Sequence, residues 1–415
     1  MTTPMNVTSR EFKANPYPFY AQMRAETPVY QLSVPLKGKA WFVARYDDVT
    51  ALLKDDRFIK DEANAQVKAQ KAKQRLTPNF LKPILRNMLM LDGDDHTRLR
   101  GLVHKGFTPR IIEDMRVGIE TLTNGLIDQV AAQGSMDLID DYALPIPTTV
   151  IAQMLGVPVE DRHKFHRWSK AVVAAGSGST FDTVRAIPAL YAFVNYIRGL
   201  VKQRRAEPQD DLISALIAAQ EAGDQLSEDE LVGMIFLMLV AGHETTVNLI
   251  GNGTLALLEH PEQLALLRDN PALAKSAVEE LLRYTSPVET ADERYAREDV
   301  TIGGVTIPQG SLVYGVIASA HRDAQQFEHP DDLDITRENN KHLAFSQGIH
   351  YCLGAPLARM EAQIAFNTLL RRLPDLQLAA PVDALRWRPA LMLRGLEALP
   401  VKFAPQPIGE KVPAI

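Results

Sequence analysis

The sequence predicts a mainly α fold with a small β region, arranged around one long central helix. Three observations carry that prediction: a capped apolar pattern over residues 227–260, helical periodicity that dominates from Asp95 onward, and short strand-like pieces between residues 300 and 317. Apolar residues recurring every three or four positions mark helices, and brief apolar runs bounded by turn residues mark strands.

The opening third alternates extended segments such as residues 40–44 with helical ones such as 49–53, and Pro28 and Pro35 mark turns between them. In the central pattern, Ser227 with Glu230 three residues on forms a capping-box signature, and Pro261 ends the run. A helix over 227–260 would be roughly 50 Å long at 1.5 Å per residue and must cross the whole fold. Residues 234–240 are apolar all round, as in a helix buried in a large core. Immediately afterwards come Gly242, His243, Glu244, Thr245 and Thr246, polar groups at burial depth that require a reason. A second helix is predicted over 271–284, then strands at 300–302, 305–307 and 312–317, with Gly303-Gly304 as a hairpin turn between the first two. A last helical pattern begins near Pro356.

The chain has 415 residues, 46% hydrophobic and 23% charged, enough to bury a substantial core. No Gly/Ser-rich or charged linker cuts it, so one domain over 1–415 is expected, with a loose Pro-containing tail at about 404–415. A net charge of -6 and a pI near 6.0 supply no global basic field, which argues against a nucleic-acid or anionic-membrane partner. The local cluster Lys68, Lys71, Lys73 and Arg75 is read as a solvated face. The first 14 residues lack an apolar signal segment, and the longest apolar stretch, 231–242, falls short of the ~20 residues of a bilayer span. A cytoplasmic, monomeric protein is expected.

With a single cysteine, Cys352, there is no internal disulfide and no Cys-rich zinc or iron–sulfur site. Cys352 lies in a Gly-flanked loop just before a helical pattern, where the helix dipole and backbone N–H groups favour the metal-binding thiolate. Alone, such a cysteine is more often an inert buried hydrophobe.

The run Phe345-Ser346-Gln347-Gly348-Ile349-His350-Tyr351-Cys352-Leu353-Gly354 resembles the cysteine-ligand loop of the cytochrome P450 family, with Phe345, Gly348, His350, Cys352 and Gly354 at the signature positions. A chance match at five fixed positions somewhere in a chain of this length is on the order of 10^-4. The resemblance covers nearly the whole chain, from Pro16-Tyr17-Pro18 to Leu399-Pro400-Val401; Asp92-Gly93-Asp94 stands where relatives often carry prolines. It implies the cytochrome P450 fold, its long central helix crossing over haem b, and Cys352 as the iron ligand. Ala241, Gly242, Glu244 and Thr245 look like the family's central-helix motif, in which Thr245 would bond dioxygen or a water and Glu244 would relay protons. Threonines that only back-bond within a buried helix are the plainer reading.

By the same resemblance His96, Arg100, Arg294 and His350 would hold the haem propionates, and Glu280, Arg283 and, further along, Arg337 would form a buried network. Substrate would meet Met88, Leu89, Met90, Val240, Val288, Glu289, Thr290, Leu391 and Met392, mostly apolar and so suited to a lipophilic small molecule. Residues 174–188 have the composition of a lid. The implied reaction is hydroxylation by dioxygen with two electrons from a separate ferredoxin or flavodoxin and an NAD(P)H-dependent reductase, docking at Lys105, Arg110 and Arg116. A peroxide-driven peroxygenase and a non-catalytic haem-binding sensor are the alternatives.

Overall fold

A computed structural model of the chain describes residues 6–34, 37–65, 81–85, 87–104, 106–161, 164, 167–168, 180–221 and 226–406. The Lys68–Arg75 cluster, Lys105, residues 174–179 of the expected lid and the tail beyond 406 lie outside the described residues. Of the lid, residues 180–188 open a helix, Thr180–Ala206.

The helices that position the site are α1 (Arg10–Ala14), α2 (Tyr17–Glu26), α3 (Tyr46–Lys54), α4 (Gly93–His104), α5 (Glu228–Ala241), α6 (Glu244–Glu259), α7 (Ala274–Thr285) and α8 (Ala355–Arg372). The strands are β1 (Val29–Val34), β2 (Gly38–Val43), β3 (Phe58–Ile59), β4 (Ser135–Asp137), β5 (Arg294–Ala296), β6 (Val300–Ile302), β7 (Val305–Ile307), β8 (Leu312–Gly315), β9 (Gln377–Leu378) and β10 (Pro400–Lys402). They form a five-stranded sheet in the order β1-β2-β8-β5-β3, a three-stranded sheet β4-β10-β9, and the β6–β7 hairpin turning at Gly303-Gly304. In the larger sheet β2 and β8 run parallel, with Trp41 opposite Val313, which brings the N-terminal hairpin beside the C-terminal half of the chain.

Two predicted elements are corrected. The strand expected over 312–317 stops at Gly315; Val316 donates to Val43 O (2.8 Å) and its own carbonyl then accepts from Ala320 N (3.0 Å), turning the chain into the short helix Ile317–Ala320. The central helix is interrupted. Its start is as expected, with the Ser227–Glu230 capping box formed, but α5 ends at Ala241 and α6 begins at Glu244. Side chains compete here for backbone acceptors: His243 Nδ1 takes Leu239 O (2.8 Å) and Thr245 Oγ1 takes Ala241 O (3.2 Å). Those carbonyls are the ones regular helical N–H groups at 243 and 245 would use, so the ladder opens between the two helices.

The segment Glu228–Glu259 is long and apolar enough to cross a membrane, but 78% of its most apolar window is buried within the protein, as suits a core helix. It joins a large cluster with Leu126, Ile127, Ile139, Ile151 and Phe193, while α7 and α8 share a second cluster that includes Leu281 and Phe366.

Candidate functional site

The break between α5 and α6 and the loop 345–354 border one cavity of about 1020 Å³. Ala241, Gly242, Glu244 and Thr245 line it from the central helices, Phe345, His350, Cys352 and Gly354 from the loop, and His96 and Arg100 from α4. Of the expected substrate positions, Met88, Leu89, Val240, Val288, Leu391 and Met392 line it. Met90, Glu289 and Thr290 do not: Met90 is 41% exposed, Glu289 is wholly buried against Lys13 and Tyr20, and Thr290 bonds Leu391 O at 3.4 Å. Glu289 alternates with its neighbour Val288 and so faces away from the cavity, while the Thr290 hydroxyl is taken up by a backbone carbonyl.

The cysteine loop is held by backbone. Cys352 N donates to Phe345 O (2.9 Å), closing a turn in which Ser346 (φ 60°) and Gly348 (φ 71°) take left-handed conformations. A Cβ at Gly348 would lie 2.9 Å from Leu53 O, so glycine there serves the loop's path over α3 rather than the cavity. Arg359 braces the loop from α8, stacked 4.4 Å over the Phe345 ring and paired with Glu279 at 2.7 Å. Arg100 Nη2 donates to Tyr351 O (2.7 Å). Cys352 is exposed to the cavity but otherwise enclosed; burial pushes its thiol up, and the N–H groups of Gly354 and Ala355 with the Arg100 and Arg359 cations pull it back.

One end of the cavity is strongly basic. The His96 and His350 rings lie 4.4 Å apart, and burial holds both below the ordinary imidazole range, His350 to about 3 with Lys60 adding to the effect. Arg294, 3% exposed, spends Nη1 on Phe58 O (3.3 Å), whereas its Nε and Nη2 have no partner among the described residues. Sequence reasoning missed Lys60, buried beside this group, ion-paired with Asp292 and drawn down to about 8 mainly by burial. A buried lysine so far from the other basic residues in sequence leaves no local pattern.

Two carboxylates line the cavity wall, Glu244 as the motif led us to expect and Glu361 unforeseen. Glu244 is 5% exposed and ion-paired with Arg388, a cavity-lining residue that sequence reasoning did not single out; His243 Nε2 lies 3.9 Å away. Glu361 of α8 also lines the cavity; burial pushes its carboxyl up to about 8, only partly opposed by a hydrogen bond with Thr246. The folded protein therefore keeps a proton that the unfolded chain releases near 4.5, and stability is lost as pH rises from there to about 8. Glu361→Gln, which cannot ionise, should flatten that slope and gain on the order of 3 kcal/mol at neutral pH with little change near pH 4. Thermal unfolding across this range checks it; parallel curves for the two proteins would contradict it.

Away from the cavity, Arg283 pairs with Glu280 through Nη2 (2.7 Å) and Nε (2.8 Å), and Arg337 Nε reaches Glu280 Oε2 at 3.1 Å. Arg283 also donates to His321 O (2.9 Å), Pro330 O (2.6 Å) and Asp332 O (2.9 Å), tying α7 to the 321–340 segment.

A family model described as Cytochrome P450 matches residues 4–374. The polyketide biosynthesis cytochrome P450 PksS of Bacillus subtilis is 44% identical over 95% of this chain and 97% of its own length. A vitamin D(3) 25-hydroxylase of Pseudonocardia autotrophica is 44% identical over 96% of each chain. The crystal structure of the myxobacterial cytochrome P450 CYP267B1 in complex with myristic acid superposes with a TM-score of 0.90 at 43% identity, covering 96% of this chain and 98% of that one.

Proposed function

The chain belongs to the cytochrome P450 family of haem-thiolate monooxygenases, and from that premise we propose that it hydroxylates a lipophilic small molecule at the cavity described above, with Cys352 as the iron ligand. The observation that carries this reading is that one cavity takes both the chain's single thiol and the Glu244–Thr245 pair. The relatives named above for polyketide biosynthesis, vitamin D(3) hydroxylation and a myristic acid complex support the lipophilic class.

The residues fit haem b. The unpartnered donors of Arg294 need buried acceptors, and carboxylates set among Arg294, His96, Arg100, His350 and Lys60 would supply them. A Cβ at Gly354 would meet no protein atom within 4 Å, so that face of the loop is open to a flat group beside Cys352. When bound, haem would supply activation of dioxygen, which with two electrons and two protons gives one oxygen atom to the substrate C–H bond and one to water; the Cys352 thiolate would hold the iron and favour that chemistry.

The chain's own residues handle protons and water. Thr245, its hydroxyl bonded to Ala241 O, can rotate to donate into the cavity, and Glu244 stands beside it to resupply the proton. Arg388 fixes the Glu244 carboxylate at the cavity wall. Gly242 keeps this stretch close to the preceding turn, since a Cβ there would lie 2.6 Å from Met238 O.

Electrons come from a separate ferredoxin or flavodoxin with its NAD(P)H-dependent reductase, because a chain with one cysteine holds no iron–sulfur cluster of its own. Arg110 and Arg116 are the described basic groups for docking, though Arg116 already pairs with Glu113 at 2.5 Å. We read the protein as a single-domain, cytoplasmic monomer.

In the haem-loaded enzyme with surrogate redox proteins, Thr245→Ala should keep dioxygen consumption but lower product formed per dioxygen by about tenfold or more. An unchanged yield would remove the proton-relay role, and haem binding with no product from the parent protein would favour the sensor reading. Turnover with peroxide but never with NAD(P)H and redox proteins would make the protein a peroxygenase.

A further inference from the structure

Helix α1 is five residues long, yet its Lys13 is 1% exposed. The Lys13 ammonium pairs with one oxygen of Glu289, itself 0% exposed, and donates to Leu391 O at 3.3 Å. The other Glu289 oxygen accepts from the Tyr20 hydroxyl of α2. Lys13 O in turn accepts from Arg394 Nε (3.0 Å), whose guanidinium lies 3.7 Å over the Trp387 ring.

These partners sit directly behind two walls of the cavity. Pro287, Val288 and Ala291 line it from one segment, and residues 389–393 from the other. Backbone bonds join the segments: Glu289 N to Met392 O (2.8 Å), Arg394 N to Pro287 O (3.0 Å), and a bridge between Val288 and Leu393. Lys13 reaches a side chain of the first segment and a carbonyl of the second at once. Two apolar side chains could fill the same volume without desolvating two charges, so what the ion pair adds is direction rather than stability.

We propose that Lys13 is a specificity-determining positioning residue, which from the N-terminal helix sets the spacing of the 287–291 and 389–393 walls and so the shape of bulky ligand the cavity accepts. The proposal rests on the reading of this cavity as the substrate site. Lys13 touches no substrate; it acts through Glu289 and Leu391.

The test uses the full-length, haem-loaded protein and two iron-binding probes: imidazole, small enough to ignore the walls, and 4-phenylimidazole, whose ring must fit between them. Because K13M leaves Glu289 buried without its cation, the double variant K13M/E289M, which removes both charges, decides the matter. Optical titration should show 4-phenylimidazole weakened by about tenfold relative to imidazole, with the spectrum of the carbon monoxide complex unchanged and K13R close to the parent ratio. An unchanged affinity ratio in K13M/E289M, or equal weakening of both probes, would overturn the proposal and leave the site reading intact. Loss of the thiolate spectrum in the parent protein would instead sink the site reading itself.

Discussion

Replacing Cys352 with alanine should lower oxygenation by more than roughly 10²-fold while leaving the fold in place. The bound is physical: removing a group that merely supports a metal ligand typically costs 10–100-fold in affinity or activity, so removing the ligand must cost more. Preservation of the fold follows from position. Cys352 faces the cavity and belongs to none of the apolar core clusters, and the loop is closed by the backbone bond from Cys352 N to Phe345 O, which alanine keeps. Activity assays and far-ultraviolet circular dichroism on the same preparation check both halves. Retained turnover would remove the thiolate from the account, and a collapsed spectrum would show that the sulfur is structural.

Replacing Arg283 with methionine should be the most destabilising single change. Glu280 and Arg283 are both 0% exposed, and Arg283 satisfies three backbone carbonyls as well as the carboxylate. Breaking a buried pair from one side costs about 3–5 kcal/mol, a large part of the roughly 5–15 kcal/mol that holds a protein folded. Arg337 and Asn340 still reach Glu280, so its charge is not wholly abandoned, but neither replaces the carbonyl contacts. Lysine should not rescue the site, since a point charge cannot span a bidentate carboxylate and three carbonyls together. Denaturant unfolding checks this; a loss under about 1 kcal/mol would show that the network behaves like a surface pair.

What the sequence disclosed and what it withheld divide along physical lines. Features set by local rules were legible: the Ser227–Glu230 cap, the β6–β7 hairpin at its Gly-Gly turn, the extended 40–44 and helical 49–53 segments, and the spacing that puts Glu280 and Arg283 on one helical face. Local loosening near Gly242 by a threonine hydroxyl was legible, but the full interruption after Ala241 was not, because it also depends on where the His243 ring points. The same holds for Glu289, whose direction is decided by its buried partners Lys13 and Tyr20. Lys60, Arg388 and Glu361 were invisible for a different reason. Lys60 and Arg388 meet their partners from segments distant in sequence, no spacing rule links Glu244 to Arg388 across 144 positions, and Glu361 sits in a helical pattern that does not mark it as facing the cavity.

The central claim is that the sulfur of Cys352 would be the protein's ligand to haem iron. The measurement that meets it most directly is the absorption spectrum of the purified, haem-loaded, reduced protein under carbon monoxide. A Soret band shifted to the red in the manner of thiolate ligation is the predicted result. A band at the position characteristic of histidine-ligated or ligand-free haem, in protein whose fold is intact, would contradict it.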